Sequence, residues 1–168
     1  AIITGATSGI GRASAIVFAR EGARVVIVGR REKEGIETET LVRQKHGDCM
    51  FIQADITRPA DVDRIVATTI ERFHRVDILF NNAAIMTPYR ENPWQTTAED
   101  YRKSFEVNVI SVVRICNRLV PLMLQRKWGR VVNVTSGIVN QPELTAYAVS
   151  KAAVDKFVRD FAPTLSGS

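Results

Sequence analysis

The sequence predicts an α/β fold, a doubly wound parallel sheet, and three observations carry that expectation. Apolar runs such as Val25-Val26-Ile27-Val28 lack polar alternation, as strands covered by helices on both faces do. They alternate along the chain with segments whose apolar residues recur at helical spacing, the crossovers that parallel strands need. The first run also empties into a glycine-rich turn, G-x-x-x-G-x-G over residues 5–11, which opens a helix.

The turn reads as strand, phosphate loop, helix. Gly5 lets the chain leave the strand at an unusual φ, Gly9 lets backbone approach a bound group, and Gly11 lets the helix sit close to the sheet. N–H groups at a helix start near Ser8 to Ile10, with the positive end of its dipole, suit an anion such as a pyrophosphate. Such glycines also end strands where no ligand binds, so the turn alone does not decide. Ala15, Ile16 and Ala19 continue the helix and Gly22 caps it. Arg24 to Gly29 is the second strand, Glu32 to Lys45 a charged outer helix, and Cys49 to Ala54 the third strand, ending at Asp55. Pro59 starts a helix to about Phe73 with Val62, Ile65, Val66 and Ile70 facing inward. Val76 to Phe80 is the fourth strand, Met86 to Pro93 a loop, and Ala98 to Gln125 one or two long helices. Gly129 to Thr135 is a fifth strand with Val131-Val132-Asn133-Val134 as a core run, and Tyr147 to Leu165 is the last helix.

One globular domain therefore spans residues 1–168, long enough for a sizeable core. Lys and Arg number 23 against 18 Asp and Glu, and this modest excess is dispersed, which indicates no nucleic-acid partner. Cys49 and Cys116 lie far apart without C-x-x-C spacing and read as buried reduced thiols; no metal site is expected, and the setting is reducing and cytoplasmic. No apolar run reaches membrane-spanning length and no signal pattern opens the chain, so no membrane partner is expected. The first residues already lie in a strand, which suggests that residues are missing upstream. Ligands in such sheets bind beyond the carboxyl ends of the strands, where Gly5, Gly29, Asp55, Asn81 and Ser136 all fall.

Over its whole length the chain resembles the short-chain dehydrogenase/reductase family. Thr4-Gly5-Ala6-Thr7-Ser8-Gly9-Ile10-Gly11 is similar to that family's cofactor loop, Asp55, followed by Ile56, to its adenine-contacting acid, and Asn81-Asn82-Ala83 to its strand-four motif. Asn108, Ser136, Tyr147 and Lys151 match its catalytic set in order. The resemblance implies a Rossmann-like sheet of order 3-2-1-4-5 and an NAD(P)-dependent oxidoreductase that moves hydride between cofactor and a small carbonyl or alcohol substrate. It implies a cofactor site of Gly5, Thr7, Ser8, Gly9, Ile10, Gly11, Arg30, Arg31, Asp55, Ile56, Asn82, Ala83, Tyr147 and Lys151. Residues four apart share a helix face, so Lys151 would lie beside the Tyr147 phenol, whose ordinary pKa of about 10 a cation would lower. In the family the lysine also bonds the nicotinamide ribose, the serine holds the substrate oxygen, and the asparagine anchors a relay water.

Two positions depart from the family pattern. Ala84 stands where glycine is usual, and the spacing from Ser136 to Tyr147 is shorter than common, with Thr135 as a substitute hydroxyl. At the end of strand two, where an acid would bond a ribose 2′-hydroxyl, Gly29 is followed by Arg30-Arg31, a pair suited to a 2′-phosphate. NADP(H) is thus favoured over NAD(H). Family members continue through further strands and a substrate-closing segment, so the chain is expected to be truncated, with its substrate unnamed. By itself it is expected to expose its fifth strand as an edge, self-associate, bind cofactor weakly and turn nothing over, while the complete protein forms homo-oligomers. A non-catalytic NADP(H)-sensing module and an inactive scaffold remnant are the rival readings, and neither needs the Asn108, Tyr147, Lys151 relay.

Overall fold

The computed structural model describes residues 1–137 and 144–165. Five parallel strands form one sheet of order β3-β2-β1-β4-β5. They are β1 (Ile2–Thr4), β2 (Val25–Gly29), β3 (Cys49–Gln53), β4 (Ile78–Asn81) and β5 (Arg130–Asn133). Helices α1 (Gly9–Arg20), α2 (Glu32–Arg43) and α3 (Pro59–Phe73) make the first crossovers. A short 3₁₀ turn, Pro93–Gln95, then precedes α4 (Ala98–Phe105), a π-helical segment (Glu106–Ile110) and α5 (Ser111–Gln125), and α6 (Thr145–Leu165) ends the described fold.

The absence of alternation in the strands is resolved by their two faces. Ile3, Val25 and Ile27 pack under α1 and α2 with Ala15, Ala19 and Val42. Ile2, Val26, Val28 and Leu79 point the other way, onto Val62 and Ile65 of α3 and Val112, Ile115 and Leu119 of α5. β5 departs from the expected core run: Val131 packs on the second cluster, but Val132 is 41% exposed. The first cluster, with its α1 and α2 residues, contains none from β5, so the outward face of this edge strand stays wet.

The stretch from Ala98 to Gln125 is one continuous helix, as expected, with a π-helical segment between α4 and α5. Thr97 caps α4 reciprocally with Asp100, each side chain bonded to the other's backbone N–H. The π segment then adds a residue to one turn, a feature that helix-period apolar patterning does not reveal. With a window of mean hydropathy 1.5, this 28-residue stretch is long and apolar enough to cross a membrane by length and composition, although 44% of the window is buried here. Val112, Ile115, Cys116, Leu119, Val120 and Met123 make up most of that, since they form the face of α5 turned to the core. α6 begins two residues earlier than its apolar pattern suggests, at Thr145.

Removing the Leu119 side chain, fully buried between α5 and the sheet, should lower stability by about 2–5 kcal/mol in Leu119→Ala, whereas Val132→Thr should stay within about 0.5 kcal/mol. Urea unfolding followed by circular dichroism measures both.

Candidate functional site

β1 is flanked by β2 and β4, so the loops leaving β1 and β4 part company at the point where strand order reverses. A polar lock holds that junction. The Thr4 hydroxyl accepts from the backbone N–H groups of Asn82 and Ala83, both at 3.1 Å. The Asn82 amide in turn donates to the carbonyls of Thr4 (3.1 Å) and Gly5 (3.2 Å). The approach is so close that a Cβ on Gly5, whose φ is +66°, would lie 2.8 Å from Ala83 Cα. A Cβ on Gly11 would fall 2.5 Å from the Gly5 carbonyl oxygen, so α1 can seat on the loop only at a glycine.

Gly9, at φ +53°, has nothing within 4 Å of its would-be Cβ. Ser8 at the helix N-cap makes no side-chain cap bond, and the first turn holds no acid, so the α1 N-terminus faces open space with its N–H groups. Arg31 reaches across to the hydroxyls of Thr7 (2.9 Å) and Ser8 (2.5 Å). Arg12 braces the loop from behind, donating to the Thr7 carbonyl (2.8 Å) and the Thr38 hydroxyl (2.9 Å) of α2. Past β3, Asp55 Oδ1 accepts from both the N–H (3.0 Å) and the hydroxyl (2.8 Å) of Thr57, while its own N–H donates to Asp61 at 2.8 Å. That N–H bond is the main reason the Asp61 carboxyl sits below its usual pKa, with Arg64 adding to it.

Thr7, Ser8, Arg31, Asp55, Asn82 and Ala83 among these line one cleft of about 310 Å³. Of the expected cofactor residues, Gly5, Thr7, Ser8, Arg30, Arg31, Asp55, Ile56, Asn82 and Ala83 are on its walls. Gly9 and Ile10 lie exposed at the start of α1, Gly11 is buried behind the loop, and Tyr147 and Lys151 do not line the cleft. The walls offer hydroxyls and two arginines, with the open Gly9 turn next to Ser8, groups suited to an anionic ligand. Among the described residues no cluster of three His, Cys, Asp or Glu side chains is arranged to hold a metal.

Asn108 is bonded to Ile85 on the cleft wall, and its further bond to Ser150 ties that wall to the start of α6, which carries Tyr147 and Lys151. Asn108, 1% exposed, sits in the π segment and grips Ile85, accepting from its N–H at 2.8 Å and donating to its carbonyl at 3.0 Å. Its second N–H goes to the Ser150 hydroxyl at 2.9 Å, and Ser150 donates to the Tyr147 carbonyl at 2.7 Å. The Lys151 ammonium lies 5.9 Å from the Tyr147 ring centroid and donates to the Val134 carbonyl at 2.7 Å. Lys151 is 4% exposed, and burial pulls its pKa below the usual lysine value. Ser136 stands half-buried on the segment after β5, and Thr135 beside it is exposed. Most of the shortened loop before Tyr147, residues 138–143, lies outside the described residues.

Three contributors escape motif reading, and a fourth, Thr4, opens the loop motif without a role assigned to it. Thr4 locks two loops with one hydroxyl, Arg12 and Asp61 brace the walls, and Ser150 joins α6 to the π segment. A polar residue inside an otherwise small, apolar stretch, Ser150 between Val149 and Lys151, is the one signal that the sequence offered. Cys116 is inert: burial pushes its thiol up to about 11, against a weaker opposing hydrogen bond from Asn81.

A family model described as short chain dehydrogenase matches residues 1–167. An uncharacterized oxidoreductase of Thermotoga maritima is 40% identical over 163 residues, covering 96% of this chain and 63% of that protein. The crystal structure of a Caenorhabditis elegans short-chain dehydrogenase/reductase of unknown function, with cofactor, superposes with a TM-score of 0.92 at 33% identity, covering 98% of this chain and 64% of that one. NAD+-bound xylitol dehydrogenase gives a TM-score of 0.92 at 27% identity, again covering 98% and 64%. The chain thus spans about two thirds of the length of these proteins.

The buried ammonium makes a pH-dependent prediction. Its folded pKa lies below the unfolded value of about 10.4, so folding disfavours the charged form, and wild-type stability should rise as pH climbs through that window. In Lys151→Met this contribution is absent. The stability of Lys151→Met relative to wild type should therefore be greatest near pH 7 and fall toward pH 10 in paired urea titrations. A constant difference would contradict the burial argument.

Proposed function

The chain belongs to the short-chain dehydrogenase/reductase family, and from that premise we propose that it works as an NAD(P)-dependent oxidoreductase on a small carbonyl or alcohol substrate. The observation that carries this reading is the buried Lys151 ammonium beside Tyr147, tied through Ser150 and Asn108 to Ile85 on the cleft wall. A sensor or scaffold needs no proton relay, and so no cation beside a phenol. Tyr147 gives a proton to a carbonyl oxygen, or takes one from an alcohol, while Lys151 stabilises the phenolate and replenishes the proton. Ser136 holds the substrate oxygen, and Asn108 steadies the relay through its hold on Ile85 and Ser150. The nicotinamide cofactor, when bound, supplies or accepts the hydride.

The cofactor-binding assignment follows the cleft. Gly9 and Ile10 at the start of α1, with Thr7 and Ser8, take the pyrophosphate, while Gly5 and Gly11 let the loop and helix pack closely enough to present it; Asp55 and Ile56 take the adenine; Asn82 and Ala83 support the central wall. Arg30 and Arg31 favour NADP(H), because no acid occupies the end of β2. The NAD+-bound relative keeps NAD(H) as the alternative. A cytoplasmic setting and homo-oligomeric assembly belong to the same reading.

In the complete protein, Tyr147→Phe should cut carbonyl reduction by about 10²-fold or more while cofactor binding stays near wild type, measured by NADPH oxidation across a panel of simple ketones and by fluorescence titration. Retention of more than about a tenth of the rate would exclude proton transfer by this residue. Arg30→Ala with Arg31→Ala should weaken NADP(H) by about 1–3 kcal/mol and leave NAD(H) nearly unchanged. Equal losses for the two cofactors in calorimetric titration would remove the basis for the NADP(H) preference.

A further inference from the structure

The cleft is bounded on one side by Asp55 and Ile56, after β3, and on another by Val107 of the π segment. These walls belong to different parts of the chain, and one side chain touches both. Arg114 of α5 donates through Nη1 to the Ile56 carbonyl at 3.3 Å and through Nη2 to Glu106 Oε1 at 3.1 Å. Its side chain is only 19% exposed. Glu106 immediately precedes Val107 and stands two residues before Asn108.

The π segment makes this contact geometrically natural. Two turns of unbroken α-helix take roughly seven residues, whereas Glu106 and Arg114 are eight apart, so the extra residue of the π turn brings them onto one face. A guanidinium is flat, and its N–H groups have fixed directions. Held by Glu106 on one nitrogen and Ile56 on the other, it fixes both the distance and the angle between the walls.

We propose that Arg114 is a positioning residue, a strut that sets the opening of the nucleotide cleft at its adenosine end by fastening the Ile56 turn to the π segment. This rests on the nucleotide-binding reading above. The Ile56 turn has its own Asp55, Thr57 and Asp61 bonds, so losing the strut frees the turn's position without dissolving it. The consequence falls on ligands that contact that turn.

Titration of the complete protein with NADPH, NADH, ADP-ribose and nicotinamide mononucleotide tests the strut, with thermal unfolding of each variant alongside. Arg114→Met should weaken both dinucleotides and ADP-ribose about tenfold and leave nicotinamide mononucleotide unchanged. Arg114→Lys keeps the charge beside Glu106 but not the two-nitrogen fork; it should show the same selective loss with a wild-type unfolding midpoint, and it serves if the methionine variant fails to fold. Unchanged ADP-ribose affinity in Arg114→Lys, or equal loss for ADP-ribose and the mononucleotide, overturns the strut while leaving the nucleotide reading intact. Failure of the unmodified protein to bind either dinucleotide overturns the nucleotide reading and the strut with it.

Discussion

Everything at the cleft depends on the lock between the ends of β1 and β4. A parallel sheet whose strand order reverses leaves a gap between adjacent loops, with backbone groups on both sides in need of partners. Thr4 and Asn82 fill that need reciprocally, the hydroxyl taking two N–H groups and the amide giving to two carbonyls. Because these donors and acceptors are saturated inside the protein, the crevice keeps its width without a ligand, and the glycine turn is held ready for one. The Arg12 bonds to Thr7 and Thr38 extend the same stiffness into α2.

The fold was legible in the sequence wherever one physical demand dominated. Glycine turns, the proline at the start of α3 and uninterrupted apolar strands each admit few solutions, and their positions agree with the structure to within a residue or two. Val132 was read wrongly because a strand's burial depends on what covers it, and hydropathy cannot say that no residue of β5 reaches the cluster under α1 and α2. The π segment was hidden because a single extra residue shifts helical phase without disturbing an apolar count. Motif residues such as Asn108 and Lys151 were legible as types. Their partners were not, since the bonds from Asn108 to Ile85 and Ser150 join stretches 23 and 42 residues apart.

The part of the site around Asn108 and Lys151 is held by interactions that favour placement over stability. Lys151 is almost wholly inside the protein with its ammonium on the Val134 carbonyl, although burial disfavours its charge. Asn108 and Ser150 are also buried and hydrogen-bonded to each other, so the chain of contacts from Ile85 to the Tyr147 carbonyl has few alternative arrangements. Such a network specifies a geometry. The surrounding core, with Leu119, Ile115 and Val112 of α5 beneath it, provides the stability that the network does not.

Arg31 is not an idle cation waiting at the mouth of the cleft, for its guanidinium already bonds the Thr7 and Ser8 hydroxyls. Under the NADP(H) reading, a 2′-phosphate competes for the guanidinium with the Thr7 and Ser8 hydroxyls on Nη2 and with Glu34 beside Nη1. Discrimination between the two dinucleotides is then an exchange, governed by the difference between these acceptors and the phosphate for the same five-donor group. A chain with a bare, unpartnered arginine at this place would clamp phosphate more tightly but leave the loop slack in its absence. Here the same residue serves as a latch for the empty loop and as a ligand for the filled one, which trades some affinity for a binding surface already in shape.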